Sequence, residues 1–104
     1  MRYYKVLISN EAKKDIFDAT EYIKNKLNNP FFAKKFYSKI KDKISLLKSN
    51  PYLYAKETDI KLTEGSIRKV LVDNYALFFI IIEDDKTIRV LRVIYARKNW
   101  KRII

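Results

Sequence analysis

From Tyr75 to Ile82 the chain reads Tyr-Ala-Leu-Phe-Phe-Ile-Ile-Ile, without one charged side chain, in a sequence of which 34% is charged. The run is too short to cross a bilayer, which takes about 20 apolar residues. Its aromatic and β-branched residues, with turn formers at either end, predict a strand. Because the run is continuous and not alternating, the strand should be central and covered on both faces for most of its length. The flanking segments then become its sheet neighbours and the helices its cover.

Before this strand two helices are expected. Tyr3 to Ile8 predicts a short first strand. Ser9 or Asn10 then caps a helix whose stripe is Ala12, Ile16, Ala19, Ile23 and Leu27. Glu11, Asp15 and Asp18 lie toward its start and Lys24 and Lys26 toward its end, which suits the helix dipole. Asn28-Asn29 stops it. Asn29 caps a second helix with Pro30 in its first position, and Asn50-Pro51 ends it. The expected buried stripe is Phe32, Ala33, Phe36, Ile40, Ile44 and Leu47. The other face carries Lys34, Lys35, Lys39, Lys41, Lys43 and Lys48 against Asp42 alone. So short a link predicts an antiparallel hairpin, lying on one face of the sheet and leaving the other face at least partly open.

Residues 51–66 show no sustained period, and a loop of that length in a compact domain is more often functional than idle. It holds Gly65 and the acids Glu57, Asp59 and Glu64. A meander follows: Ile67 to Val72, the turn Asp73-Asn74, the central strand, the turn Glu83 to Lys86, and Thr87 to Tyr95. The tail runs from Ala96 to Ile104. The expected architecture is a single α+β domain over residues 1–104, β-α-α-β-β-β, with the helical hairpin on one face of a mainly antiparallel sheet.

Composition narrows the chemistry. With no cysteine and no histidine, disulfides, thiolate metal sites and His-based triads are excluded, and zinc would need carboxylates alone. No cofactor or metal site is implied. Met1-Arg2-Tyr3-Tyr4-Lys5 runs straight into the first strand, so no signal peptide is read and a cytoplasmic location is expected. The net charge of +11 points to polyanions or an acidic protein as partners. Residues 86–104 hold Lys86, Arg89, Arg92, Arg97, Lys98, Lys101 and Arg102 and no acid.

Arg68, Arg92 and Arg97 are expected to converge on the open sheet face, with Tyr95 and Trp100 as stacking surfaces and Lys98 beside them. Guanidinium groups interleaved with rings suit single-stranded nucleic acid. Equally, the aromatics can complete a core, and Arg92 can be solvated or paired with a carboxylate. Cleavage of RNA would need a base, an acid and a phosphate clamp. Without histidine the base would be Glu57 or Glu64, or a lysine such as Lys56 or Lys61. The candidate catalytic set is Arg68, Arg97, Lys56, Lys61, Glu57 and Tyr95, and spacing alone does not choose among them.

Three strings carry a family resemblance. Tyr4-Lys5-Val6-Leu7-Ile8-Ser9, with Ala12, Lys14, Asp15 and Ile16, resembles the first strand and helix start of the RelE/ParE superfamily of type II toxins. Ile67 to Phe79 is similar to its central hairpin, and Arg89 to Trp100 to its last strand and tail. The resemblance implies a small basic toxin of plasmid-stabilisation type, held inactive by a cognate acidic and partly disordered antitoxin. RelE-type members cleave mRNA on the ribosome; ParE-type members inhibit DNA gyrase. RelE-type nucleases usually carry an arginine after the residue that opens the central strand, where this chain has Ala76. With Arg92 to Trp100 closer to the ParE-type ending, the reading leans to ParE. A RelE-like endonuclease and an inactive nucleic-acid-binding relative stay open as alternatives.

Overall fold

The computed structural model describes residues 3–54 and 67–97. Strand β1 (Lys5–Ile8) ends at Ser9, whose hydroxyl accepts from the Ala12 amide at 2.9 Å and so caps α1 (Asn10–Glu21). Asn29 does the same for α2 (Pro30–Ser49), accepting from the Phe32 amide at 3.0 Å, with Pro30 in the first turn. Sheet strands β2 (Arg68–Val72), β3 (Tyr75–Ile82) and β4 (Thr87–Tyr95) follow as an antiparallel meander. The order across the sheet is β1-β4-β3-β2, so β3 is interior and flanked by its neighbours in sequence. Strand β1 runs parallel to β4, with Ile8 opposite Val90. The α+β architecture and the β-α-α-β-β-β order are those the sequence predicts.

The main core lies between hairpin and sheet. Phe36, Ile40 and Leu47 of α2 and Ala12, Ile16 and Ala19 of α1 meet Val70, Leu77, Phe79, Ile88, Val90 and Val93. Burying side chains of this size contributes roughly 1.5–3 kcal/mol each. The far face of the sheet is also closed: Ala76, Phe78, Ile80, Ile94 and Ile67 are all buried. The expected open sheet face is therefore corrected over its centre, and the uncharged character of β3 has its cause here, since both faces of the strand are dry.

Two further expectations change. The helix predicted to run through Leu27 becomes a π-turn over Tyr22–Lys26, in which the Leu27 amide reaches back five residues to the Tyr22 carbonyl at 3.1 Å. One extra residue in that turn rotates Leu27 off the stripe, leaving it 55% exposed while Ile23 stays buried. Asn28 then takes a left-handed φ of 51°, and the Asn29 amide donates to the Ile23 carbonyl, which reverses the chain. Phe32 is likewise half-exposed, at the start of α2 beside the Lys39 ammonium.

Candidate interaction site

Where β1 ends, the outer edge of β4 would carry unpaired backbone groups beyond Val90. The start of α1 satisfies them. Ser9 donates its hydroxyl to the Leu91 carbonyl at 2.8 Å, and the Asp15 carboxylate accepts from the Val93 amide at 3.0 Å. The same carboxylate accepts from Nε and Nη2 of Arg92 at 2.7 and 2.8 Å, a bidentate pair at a partly buried place. The Asp15 hydrogen bonds hold the Arg92 pKa above its ordinary value against the opposing effect of burial.

Beside this pair a groove of about 700 Å³ opens between the hairpin and the end of the sheet. Its floor is Ala19, Ile23 and Phe36; Tyr22, Tyr75 and Tyr95 line it, with Asp15, Asp18 and Asp73 around them. Rings stack from floor to mouth: Phe36 on Tyr75 with centroids 5.0 Å apart, and Tyr75 edge-on to Tyr95 at 5.7 Å. Burial, with the neighbouring Tyr22 and Tyr95 hydroxyls, raises the Tyr75 pKa. Tyr95 is 39% exposed, and Arg97 lies exposed just beyond it, where the Ala96 amide donates to the Asn74 carbonyl at 2.8 Å.

Arg68 is elsewhere. It opens β2 at the other edge of the sheet, donates Nη1 to the Tyr54 carbonyl at 2.6 Å, and lies over the Tyr52 ring. Tyr52 and Tyr4 both donate to the Glu83 carboxylate, as does Lys86. These donors, Lys86 foremost, lower the Glu83 pKa to about 2, and the Glu83 contact pushes the Tyr52 hydroxyl up to about 12. The cluster ties the end of α2 to the β3–β4 turn.

The structure thus puts Arg92 and Tyr95 in the lining of one groove, with Arg92 held by Asp15, leaves Arg97 exposed two residues beyond Tyr95, and holds Arg68 at the other edge of the sheet. The three arginines do not share a hollow. Lys56, Glu57, Lys61, Glu64, Lys98 and Trp100 lie outside the described residues. Tyr22, Tyr75 and Asp15 line the groove without having been singled out as site residues. Asp15 carried one legible signal: it sits three residues after Ala12 and four before Ala19, on the edge of the buried stripe, where a carboxylate needs a partner. Among the described residues no group of three acids, histidines or cysteines could hold a metal ion, and no helix is long and apolar enough to cross a membrane.

A helical hairpin on a four-stranded sheet whose first strand joins the last in parallel is the fold of the RelE/ParE superfamily of small toxins. The chain belongs within it to the family described as the ParE toxin of the type II toxin–antitoxin system, parDE, whose profile matches residues 6–100. Among solved structures it is similar to the chromosomal ParDE toxin–antitoxin system of P. aeruginosa, with a TM-score of 0.71 at 16% identity over 90% of this chain and 97% of that one. The archaeal RelE–RelB complex from Pyrococcus horikoshii OT3 superposes with a TM-score of 0.62 at 13% identity, over 91% of this chain and 97% of its own. The isolated E. coli RelE toxin gives a TM-score of 0.60 at 16% identity, over 97% and 99%. No curated protein matches the sequence.

Proposed function

We propose that this toxin arrests growth by inhibiting DNA gyrase and is neutralised by a cognate antitoxin. The observation that carries the choice of target is the state of β2, β3 and β4. Ala76 stands where RelE-type nucleases usually have an arginine, and it is 1% exposed within the apolar layer of the far sheet face. Arg68 and Arg92 are engaged by Tyr54 and Asp15. None of these positions offers a free guanidinium for a scissile phosphate, which favours a protein target over RNA. The groove, with exposed Tyr95 in its lining and exposed Arg97 two residues further along the chain, is the surface for that contact.

The antitoxin reading rests on charge. A chain at +11 attracts an acidic segment rapidly, and a partly disordered one can wrap it while folding. The related ParDE and RelE–RelB structures are toxin–antitoxin systems, which supports such a partner.

A supercoiling assay with purified gyrase tests the target. Loss of supercoiling at micromolar toxin is expected, and full activity there would remove the proposal. The second reading, a ribosome-dependent mRNA endonuclease, has one observation in its favour: a phenol and a guanidinium, Tyr95 and Arg97, are both exposed at the end of β4. Primer extension on translated mRNA decides it, since new 5′ ends would mark cleavage.

A further inference from the structure

We propose that the outer face of α2 is a docking rail for the phosphate backbone of duplex DNA. The groove and its arginines play no part in it. Lys34, Ser38, Lys41, Ser45 and Lys48 follow one another at spacings of four and three residues and are all exposed. At 3.6 residues per turn these positions form one nearly straight line along the helix. Successive lysines are about 10 Å apart and the line is about 21 Å long, at about 1.5 Å rise per residue.

Each member has the chemistry of a phosphate contact. Lysine supplies a point charge on a flexible stem, and serine a hydroxyl donor. None of the three lysines has a carboxylate partner among the described residues, whereas Lys14, Lys39 and Lys86 each do. The basic character is local as well. Helix α1 next door carries Glu11, Asp15, Asp18 and Glu21 against Lys13 and Lys14, so the charge is segregated between the two helices of one hairpin. A composition merely rich in lysine would spread it over both.

The line itself has no apolar member, and the exposed Phe31 and Tyr37 rings that flank it lie beneath the Lys35 and Lys41 ammonium groups, so a bilayer would have to strip charge from them before they could enter it. Its even pitch suits a polymer with regularly repeated charge better than a protein surface with scattered acids. Duplex DNA, with one negative charge per about 1.7 Å of its axis, offers several phosphates to each step of the line.

Fluorescence anisotropy of the full chain with a mixed-sequence DNA duplex, and with an RNA duplex of the same sequence, reads the rail directly. Neutralising one phosphate contact lowers the slope of log affinity against log salt by about 0.9 for B-form DNA. The triple variant Lys34→Gln/Lys41→Gln/Lys48→Gln should therefore flatten the slope by roughly 2.7, so that raising salt from about 50 to about 200 mM costs it roughly 40-fold less affinity than the parent loses. Lys13→Gln/Lys24→Gln/Lys26→Gln removes the same net charge from exposed positions off the rail and should leave most of the slope in place. Equal slopes in the two variants would overturn the proposal. So would tighter binding of poly-L-glutamate or of phosphatidylserine vesicles than of either duplex. Tighter binding of the RNA duplex than of the DNA duplex would overturn it as well. Should the triple variant fail to fold, amide shifts in the parent chain on adding duplex decide: changes centred on α2 support the rail, and changes elsewhere refute it. Gyrase inhibition and antitoxin binding are separate readouts, so the failure of either reading leaves the other standing.

Discussion

Asp15 and Arg92, 77 residues apart in sequence, are joined by two hydrogen bonds, and the same carboxylate takes the Val93 amide. One side chain thus closes the edge of β4 and neutralises the arginine beside it.

Asp15→Asn should cost about 2–3 kcal/mol, because it leaves a half-buried guanidinium without its counter-charge. In a domain of this size that lowers Tm by roughly 10–20 °C. Adding Arg92→Met to the same chain should restore part of the loss, since no unpaired charge remains. Thermal unfolding followed by circular dichroism checks both, and a single variant as stable as the parent would deny the pair its structural role.

Glu83 makes stability depend on acid. Its folded pKa of about 2 lies below the ordinary 4.5, so its contribution is present above the ordinary value and fades as pH falls toward the folded one. Urea midpoints measured across that window should fall in the parent and fall less in Glu83→Gln. Tyr52 acts in the opposite sense. Its contribution is complete below 10 and disappears as pH rises through about 12, and Tyr52→Phe should remove that alkaline dependence. Parallel pH profiles for parent and variants would count against the cluster.

Asn28, left-handed at φ 51°, links the π-turn to α2. Glycine adopts that region freely and a β-branched residue does not. Asn28→Gly should hold or raise Tm, while Asn28→Val should lose about 1–2 kcal/mol. The order of the two melting temperatures is the measurement.

Arg97→Ala and Tyr95→Ala, at exposed positions at and just beyond the end of β4, should weaken growth arrest while leaving the fold intact. Loss of a contact worth about 1.4 kcal/mol corresponds to a tenfold shift in the toxin level needed. Growth curves under graded expression, with circular dichroism of the purified variants, separate this outcome from misfolding.

The local architecture was largely written in short-range patterns. Ser9 and Asn29 are caps by residue type, Pro30 opens a helix, and the uncharged run of β3 reports a strand dry on both sides. What escaped depends on contacts between distant segments. The π-turn inserts one residue without a distinctive composition, so the stripe reads as if it continued through Leu27. For Arg92 the sequence leaves a carboxylate pair open, which the structure shows, but does not say which acid, because that partner lies on α1; Arg68 looked available because Tyr52 and Tyr54 approach it only after the chain has turned. Tyr22, Tyr75 and Tyr95 meet only because the hairpin lies across the end of the sheet, a juxtaposition that periodicity does not encode.

The parallel pairing of β1 with β4 joins the first of the described strands to the last of them. During synthesis Ile8 waits for Val90, with the helices and the meander made in between. Until then the outer edge of β4 does not exist, the groove has no far wall, and Asp15 has nothing to clamp. A chain made only as far as β3 has neither this wall nor this clamp, so the groove cannot form before β4 has been synthesised.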